Sequence, residues 1–593
     1  MKTFNARFGA WALLLSLFGS PAGLRAQPTF TNVTAAVAPG LPYGCSTVAW
    51  GDYDNDGRLD LFIGGATADD NGDDIFYAQL WRNTDRGFTN VTATVAPGMT
   101  GAGGSAAWGD YDNDGRLDLL FTGQRGLESV TTELWRNTGT GFVNVTVPDL
   151  TGVESSFVAW GDYDNDGRLD FLFMGFMYDF NDNFLEVPTQ LWRNTDSGFT
   201  NVTDSVLPGL PQVTSGSVAW ADYDNDGRLD FLITGWEFFS HRPVAQLWRN
   251  TGNGFTNLTA TVAPGLPQVS VSSVAWGDYD NDGRLDFLLA GFSEYNVFIS
   301  QLWRNTGAGF TNVTAAIAPE LTASYPYSSS VAWGDYNNDG RLDFLLSGHC
   351  YPNGGTGSVS QLWQNTGTGF SNVTASIGLP LFSPAAWGDF DNDGRLDLIS
   401  TEFGTPQLWR NTTPVTNTPP SAPTGLAMTA SSNAVMLSWN SATDGQTPAS
   451  GLTYNVRAGT TPGGNNLLSA HVNATNGFRR VPAMGNAMLR HSLPLTGLTN
   501  GQVIYWSVQA VDTAFAGGPF ATETSVVSLP QLSVTRPDAT NVLVSWTPPT
   551  FGWALQQGTN LSVNNWTPTA SGSANPAILP ATNATTFYRL SKP

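Results

Sequence analysis

Short apolar runs that end near a glycine recur along the first two thirds of the chain, as in Leu61-Phe62-Ile63 and Phe287-Leu288-Leu289. A second recurring segment is Gln-Leu-Trp-Arg-Asn-Thr, seen at 79–84 and 301–306. It is followed by a glycine-containing turn and Phe-Thr-Asn-Val-Thr, as at 88–92. Apolar runs of this length, separated by Gly, Asn and Asp, are typical of β-strands rather than helices.

These segments repeat in one order seven times. With the strand before each aspartate-rich turn, a repeat contains four strands, and four-stranded units of this size predict a β-propeller rather than a solenoid. The strand Phe30–Thr34 has no partner segment before it, and the last repeat ends at Thr412 without its own fourth strand. The first strand is therefore predicted to complete the seventh blade and to close the ring without an open sheet edge.

The frame Asp-x-Asp-x-Asp-Gly-x-x-Asp lies between the first two strands of each repeat. Carboxylates at ~4 Å repel by about 4 kcal/mol per pair at an effective dielectric of ~20, so the cluster requires a cation. Oxygen ligands without His or Cys favour Ca²⁺. The flanking segments are β-type, and position 12, counted from the first aspartate of each loop, is never acidic. Both observations exclude an EF-hand. A solvated Asp/Gly-rich turn is the alternative, disfavoured by seven copies in register.

We predict up to seven structural Ca²⁺ ions. Positions 1, 3, 5 and 9 supply side-chain oxygens, and the arginine at position 7 supplies its backbone carbonyl. The sixth loop has Asn337 in place of an aspartate, so we expect this site to be weaker or to empty first. The predicted ligands are Asp52, Asp54, Asp56, Arg58, Asp60, Asp110, Asp112, Asp114, Arg116, Asp118, Asp162, Asp164, Asp166, Arg168, Asp170, Asp222, Asp224, Asp226, Arg228, Asp230, Asp278, Asp280, Asp282, Arg284, Asp286, Asp335, Asn337, Asp339, Arg341, Asp343, Asp389, Asp391, Asp393, Arg395 and Asp397.

The formal net charge is −23, and seven divalent ions would reduce it to −9. The acidity is thus mostly metal chemistry, and without a basic stripe we expect no nucleic-acid partner.

Lys2 and Arg7, the apolar core Trp11–Gly19 and a small residue at Ala22 or Ala26 predict a secretory signal over residues 1–26. No later apolar run reaches 18 residues, so no transmembrane segment is expected after its removal. The predicted location is secreted or at the cell surface.

The repeat resembles the FG-GAP/VCBS repeat, the blade unit of integrin α-chain-type propellers, over residues 30–412. The resemblance implies calcium on the aspartate hairpins of one rim and ligands on the opposite rim. The variable segments of that opposite rim include several aromatic residues, which either form a recognition surface or pack together as a lid. They are Phe176-Met177-Tyr178, Trp236-Glu237-Phe238-Phe239, Phe292 with Tyr295, Tyr325 with Tyr327, and His349 with Tyr351.

The overall prediction is an all-β protein: a seven-bladed propeller over 27–413, a linker over 414–422, a β-sandwich over 423–529 and a small β module over 530–593. The segments Val435–Trp439, Leu452–Arg457 and Tyr505–Val511 resemble a fibronectin type III domain. The last module resembles terminal modules of secreted bacterial proteins, which suggests attachment or sorting. Two cysteines, Cys45 and Cys350, form one bridge or remain free thiols.

Fourteen of the 21 tryptophans occupy two repeated positions, which favours packing between blades over a ligand-stacking ring. The Asn-x-Thr triplets likewise favour a structural role over glycosylation.

We expect a calcium-stabilised adhesion or recognition protein that binds an extracellular protein or glycan and is not an enzyme. Alternatives are a polysaccharide-directed enzyme and a structural surface-layer component. Only four histidines occur, and no nucleophile elbow, zinc spacing or phosphate loop is present.

Overall fold

The computed structural model describes most of the chain after residue 29, and the predicted signal segment 1–26 lies outside it. The described residues are 30–591, excluding 69–73, 102, 127–128, 179–183, 295–296, 322–326, 351–356, 378–383, 403, 431–433, 474–475, 500–501, 528–530, 548–552, 560–565 and 582–584. Within these ranges no helix is long and apolar enough to span a bilayer.

Seven four-stranded antiparallel sheets, here called blades 1 to 7, account for most of the structure. Their strands are, in blade 1, β2 (Cys45–Gly51), β3 (Asp60–Ala68), β4 (Asp74–Thr84) and β5 (Gly87–Asn90); in blade 2, β6 (Ala106–Gly109), β7 (Asp118–Gly126), β8 (Ser129–Asn137) and β9 (Phe142–Val145); in blade 3, β10 (Glu154–Gly161), β11 (Asp170–Tyr178), β12 (Phe184–Thr195) and β13 (Gly198–Asn201); in blade 4, β14 (Val213–Ala221), β15 (Asp230–Glu237), β16 (Arg242–Asn250) and β17 (Phe255–Asn257); in blade 5, β18 (Val269–Gly277), β19 (Asp286–Ser293), β20 (Phe298–Asn305) and β21 (Phe310–Asn312); in blade 6, β22 (Tyr327–Gly334), β23 (Asp343–Cys350), β24 (Gly357–Asn365) and β25 (Phe370–Asn372); and in blade 7, β26 (Ala385–Gly388), β27 (Asp397–Glu402), β28 (Thr405–Asn411) and β1 (Phe30–Asn32).

The blades form a closed ring. The first strand of each blade contacts the first strand of the next, and β26 of blade 7 returns to β2 of blade 1. As the sequence predicts, the N-terminal strand β1 pairs antiparallel with β28, with Phe30 opposite Asn411 and Asn32 opposite Trp409. The chain termini of the ring thus share one sheet. An all-β ring of four-stranded sheets is consistent with the blades of a β-propeller.

In six blades, all except blade 2, the fourth strand is shorter than its sequence pattern suggests. In blade 1 it ends at Asn90, and Thr92 opens a single helical turn. Asn90 Oδ1 accepts hydrogen bonds from Thr92 N (3.0 Å) and Thr92 Oγ1 (2.8 Å), while Leu80 N donates to Thr92 Oγ1 at 2.8 Å. The Asn-x-Thr triplet therefore stops the strand, because its side chains offer the backbone a local turn. The six turns are α1 (Thr34–Val37), α2 (Thr92–Val95), α3 (Thr203–Val206), α4 (Thr259–Val262), α5 (Thr314–Ile317) and α6 (Thr374–Ile377).

The repeated tryptophans pack between and within blades, which confirms the packing interpretation. Trp108 of blade 2 stacks on Tyr53 of blade 1 with a centroid distance of 6.4 Å, and its Nε1 donates to Ala49 O at 3.3 Å. A Cβ at Gly51 would lie 2.8 Å from this indole, so the glycine that follows six of these seven tryptophans permits the close approach; blade 4 has Ala221 at this position. The second set stays within its blade, where buried Trp81 donates to Gln79 Oε1.

Two further β units follow the ring. The first is a β-sandwich whose buried core includes Trp439, Tyr454 and Trp506; the second is smaller and surrounds Trp546 and Leu555. The sandwich sheets are β29 (Thr424–Ala430), β30 (Val435–Asn440) and β32 (Ser492–Leu495), and β31 (Thr453–Gly459), β33 (Val503–Val511) and β34 (Thr524–Val527). The last unit comprises β35 (Gln531–Thr535), β36 (Asn541–Thr547) and β39 (Ala577–Pro580), and β37 (Ala554–Gly558), β38 (Thr567–Pro568) and β40 (Phe587–Ser591).

Cys45 is a buried free thiol at the start of β2. Burial raises its pKa to about 12, although Sγ donates to Thr47 O at 3.3 Å. Of the alternatives left open by the sequence, the structure therefore favours the free thiol for this residue.

Candidate metal centres

Each aspartate loop connects the first and second strands of a blade, so all seven lie on one side of the ring, here called the metal face. In blade 4, Asp222 at position 1 accepts Asp226 N on Oδ1 and Gly227 N on Oδ2, both at 2.9 Å. Asp230 at position 9 begins β15 and accepts Asn250 N (2.7 Å) and Tyr223 N (3.3 Å). The two carboxylates therefore organise the loop backbone before any cation is considered.

The asparagine at position 4 links each loop to the next. Asn225 has a φ of 57°, a left-handed conformation that asparagine adopts more readily than most residues. Its Nδ2 donates to Gly283 O of blade 5 at 3.1 Å. The same bond joins every neighbouring pair and closes the circle with Asn392 Nδ2 to Gly57 O at 2.7 Å. Sequence reasoning missed this role, although the asparagine recurs in every copy.

Carboxylate oxygens converge within the loops. Positions 1, 3 and 9 bring three oxygens within 4.8 Å of one another in blades 1, 2 and 4, whereas positions 1, 3 and 5 do so in blades 3 and 5. Several carboxylate oxygens of the loops are buried and make no hydrogen bond among the described residues: Asp112 Oδ1, Asp286 Oδ2 and Asp343 Oδ2. Buried carboxylate oxygens without a partner are costly unless a cation binds them.

Burial and mutual repulsion make the carboxylates at positions 1 and 9 resist ionisation. The pKa of Asp60 is raised to about 9, mainly by burial and also by the negative charges of Asp52, Asp54 and Asp56. The hydrogen bond from Asn83 N has the opposite effect and lowers it. Burial likewise raises the pKa of Asp52 to about 6 and that of fully buried Asp343 well above its ordinary value. A divalent cation would offset both the cost of burying these charges and the repulsion between the carboxylates. The oxygen-only donor set fits a hard ion such as Ca²⁺.

The structure brings position 1 and position 3 of the predicted ligand set together, with position 5 or position 9. The arginine at position 7 also binds through its side chain: Arg116 Nε donates to Asn137 O at 2.9 Å, and its guanidinium pairs with Asp114. That side-chain role was missed. Its backbone carbonyl remains a predicted ligand.

The β-sandwich covers the metal face. The segment between β31 and β32, residues 460–491, is here called the docking loop. Its Ser469 Oγ donates to Asp110 Oδ2 at 2.6 Å, and Arg490 Nε lies 2.8 Å from Asp222 Oδ2. From the turn after β33, Thr513 Oγ1 donates to Asp335 Oδ2 at 3.0 Å. All three contacts reach a position 1 carboxylate through Oδ2.

Backbone bonds strengthen this interface. Asp52 N donates to Arg480 O at 2.9 Å and Thr496 N donates to Asn165 O at 2.7 Å. The predicted linker is held as well, because Asn417 N donates to Gly394 O at 2.8 Å and Asn417 Nδ2 to Asp512 Oδ2 at 2.6 Å. The sandwich is therefore bound to the metal face and does not act as a free spacer.

Three arginines of the docking loop are buried beneath the sandwich. Burial lowers the pKa of Arg479 to about 10 and also lowers that of Arg480 and Arg490, while nearby aspartates oppose the shift. His471 lies beside them and burial, reinforced by Arg479 and Arg480, lowers its pKa to about 3. Its neutral ring accepts Asp110 N on Nε2 at 3.3 Å. The histidine is thus a structural acceptor, and a cavity of about 370 Å³ remains beside it.

Residues 181–233, 239–289 and 290–346 match the sequence profile of the FG-GAP-like repeat. The chain is also 24% identical over 366 residues to the human T-cell immunomodulatory protein, with 57% of this chain and 56% of the relative covered. The chain therefore spans about half the length of this curated relative.

Two solved structures show weak similarity to this chain. The SapL1 lectin in complex with alpha methyl fucoside is 12% identical with a TM-score of 0.32, covering 58% of this chain and 98% of the lectin. The GH74 xyloglucanase from Xanthomonas campestris is 12% identical with a TM-score of 0.36, and the match covers 95% of this chain and 93% of the xyloglucanase. Similarities at these scores support no conclusion about ligand or activity.

Proposed function

We propose that this protein is a secreted or cell-surface calcium-binding recognition protein built on a seven-bladed, integrin α-like propeller. The sandwich, which we take to be a fibronectin type III domain, covers one face, and the other face binds an extracellular glycan or protein. The observation that carries the proposal is the division of labour between the faces: the metal face is occupied by the protein's own docking loop, whereas the opposite face exposes aromatic side chains.

Calcium has a structural role in this proposal. When bound, the ion neutralises the clustered carboxylates and holds the loops in place. The chain supplies the oxygens: in blade 4, Oδ1 of Asp222 at position 1 accepts only one hydrogen bond, from Asp226 N, because Gly227 N and Arg490 both contact Oδ2. A carboxylate oxygen can accept two partners, so this oxygen retains capacity for a cation.

The opposite face carries the recognition surface. Tyr43 before β2 is 59% exposed, Trp236 near the end of β15 is 37% exposed, and Phe239 in the turn that follows is 68% exposed. All three lie at strand ends remote from the aspartate loops. Exposed aromatic rings suit the apolar faces of sugars or a protein side chain, because they bury much area at little entropy cost.

A polar cavity opens among the first strands near these strand ends. It has a volume of about 480 Å³ and is lined by hydroxyl-bearing residues from successive blades, including Ser46, Ser105, Ser156, Ser217 and Ser273. It contains no charged lining side chain among the described residues. Such a site suits a neutral, hydrogen-bonding ligand, which supports a glycan over a charged metabolite.

The proposal includes no catalysis. The carboxylates that resemble a glycosidase pair are tied to backbone amides in every blade, as at Asp222 and Asp230. A general acid needs a proton that it can exchange with substrate, whereas these groups lie under the sandwich. The enzyme and surface-layer alternatives have no comparable support.

A glycan array and a pull-down from culture medium, both with the full mature chain in calcium, test the proposal. We expect specific binding that Trp236→Ala and Phe239→Ala each reduce at least tenfold, as for anchor residues of an interface. Ile578→Ala is the matched control, since Ile578 is 67% exposed in the last β unit. Binding unaffected by both aromatic variants, or hydrolysis of an arrayed glycan, would overturn the proposal.

A further inference from the structure

In six of the seven repeats a second arginine contacts the metal loop of its own blade. In blade 5, Arg304 of the Leu-Trp-Arg-Asn segment lies on β20, with Nε 2.5 Å from Asp280 Oδ2 and Nη2 2.8 Å from Asp282 Oδ2. The position 3 aspartate has the same partner in five other blades, at 2.5 or 2.6 Å, and the pairs are Arg82–Asp54, Arg136–Asp112, Arg193–Asp164, Arg249–Asp224 and Arg410–Asp391.

Blade 6 departs from this pattern at both ends of the pair. Its position 3 residue is Asn337 and its segment reads Gln-Leu-Trp-Gln-Asn, with Gln364 in place of the arginine. The two residues that meet as an ion pair in the other six blades are thus both replaced by neutral amides in the same repeat. The carboxylate and the guanidinium are lost together.

The charge that each repeat itself contributes to its site is therefore constant. In six blades, four loop aspartates are offset by two arginines, at position 7 and in the Leu-Trp-Arg segment, which leaves −2. In blade 6, three aspartates (Asp335, Asp339 and Asp343) are offset by Arg341 alone, which again leaves −2. One divalent cation cancels this charge of the repeat, to which the docking loop adds Arg490 beside Asp222 in blade 4.

The pairing still leaves oxygens for the ion. The arginine uses Oδ2 of the position 3 aspartate, while Asp112 Oδ1 and Asp391 Oδ1 are buried without a hydrogen bond. In blade 2 that carboxylate lies with Asp110 and Asp118 in the group whose oxygens converge within 4.8 Å. Position 3 thus binds a guanidinium on one oxygen and offers the other to the loop centre.

We propose that the Leu-Trp-Arg arginine sets the charge of its metal loop, and that Asn337 and Gln364 are a compensated pair that keeps the sixth site as competent for a divalent ion as the others. This inference rests on the proposed calcium binding. It replaces the expectation that the sixth site empties first, because that expectation counted the missing carboxylate and not the missing arginine.

The test is a double-mutant cycle in the full chain with Asn337→Asp, Gln364→Arg and both together, melted in calcium and in chelator. Gln364→Arg alone leaves the sixth site with a charge of −1. It should weaken calcium binding at that site on the order of tenfold, because the cation meets an unpaired positive charge. Asn337→Asp alone should lower the melting temperature in chelator more than in calcium. The double variant should match the wild type in both conditions.

The reciprocal cycle in blade 5 is the matched control, with Asp280→Asn, Arg304→Gln and the pair. The pair should bind as many ions as the wild type, and elemental analysis of the wild type in excess calcium should find seven ions per chain. Six ions, or double variants that show only the sum of the single effects, would overturn the inference. A wild type that melts identically in calcium and chelator would instead overturn the proposed function itself.

Discussion

Arg490 Nε lies 2.8 Å from Asp222 Oδ2, and both side chains are almost completely buried between the sandwich and blade 4. The two residues are 268 positions apart, since one belongs to the docking loop and the other begins a metal loop. The same carboxylate orders its loop through Asp226 N and Gly227 N. One aspartate thus connects loop geometry with the attachment of a second domain.

Replacing Arg490 by methionine should destabilise the protein by about 3–5 kcal/mol, because the change leaves the charge of Asp222 buried without its partner. Urea denaturation monitored by tryptophan fluorescence measures the loss. Arg589→Met is the matched control in the last β unit, where the guanidinium lies over Trp566 and pairs with no carboxylate among the described residues. The double variant Arg490→Met with Asp222→Asn should recover part of the stability, and an Arg490→Met variant as stable as the control would contradict the interface.

The asparagine of the Leu-Trp-Arg-Asn segment should be a second stabilising position. Asn137 Nδ2 donates to Tyr53 O of the preceding blade at 2.7 Å and to Leu117 O at 3.2 Å. Asn137→Ala leaves both buried carbonyls without this donor and should cost about 1–3 kcal/mol. Asn144, exposed on β9, is the control, and its alanine variant should change stability by less than about 0.5 kcal/mol. Equal effects in a thermal melt would exclude the inter-blade role.

Closure of the ring by β1 gives a third prediction. Phe30 is buried between Tyr336 and Trp387 at centroid distances of 6.2 Å, as Phe142 is against Tyr53 and Trp108 in blade 2. Phe30→Ala should therefore cost about as much as Phe142→Ala, roughly 3–5 kcal/mol. The comparison uses chemical denaturation. A Phe30→Ala variant with wild-type stability would show that the terminal strand does not close the ring in solution.

The sequence predicted those features that depend on neighbours within one repeat. The aspartate spacing placed Asp222 and Asp230 on one hairpin, and the unmatched segments at Phe30 and Thr412 predicted the shared blade. The docking loop was not predicted, because Ser469 and Asp110 meet across 359 residues and no local pattern marks such a contact. A signal was present nevertheless: Arg479, Arg480 and Arg490 lie close together in a strongly acidic chain.

The role of the Leu-Trp-Arg arginine was missed for a different reason. Strand alternation shows that Arg304 and Trp303 point to opposite faces of β20, but not which loop the arginine reaches. The double change at Asn337 and Gln364 was visible in the sequence and only becomes interpretable once the pair is in contact. The helical turn at six of the seven repeated Asn-x-Thr triplets was likewise hidden, because threonine and valine favour strands and the asparagine side chain overrides that preference.

Calcium removal should make stability depend on pH with a definite sign. In the cation-free protein, burial raises the pKa of Asp60, Asp118, Asp230 and Asp286 to about 9, above the value of about 3.9 for an unfolded aspartate. The folded state then binds more protons than the unfolded state between these values. The stability that these groups contribute is fully present below about pH 4 and is lost as the pH rises towards about 9. Each group then lowers the free energy of unfolding by about 1.4 kcal/mol per pH unit.

Urea denaturation in chelator should therefore show lower stability at about pH 8.5 than at about pH 6, whereas calcium should flatten or reverse this slope, because the bound ion favours the ionised carboxylates in the folded state. Asp118→Asn removes one of the titrating groups and should reduce the slope in chelator by roughly one proton. Magnesium at the same concentration is the ion control, since it requires a smaller octahedral site. Equal slopes with and without calcium would mean that these carboxylates are not its ligands.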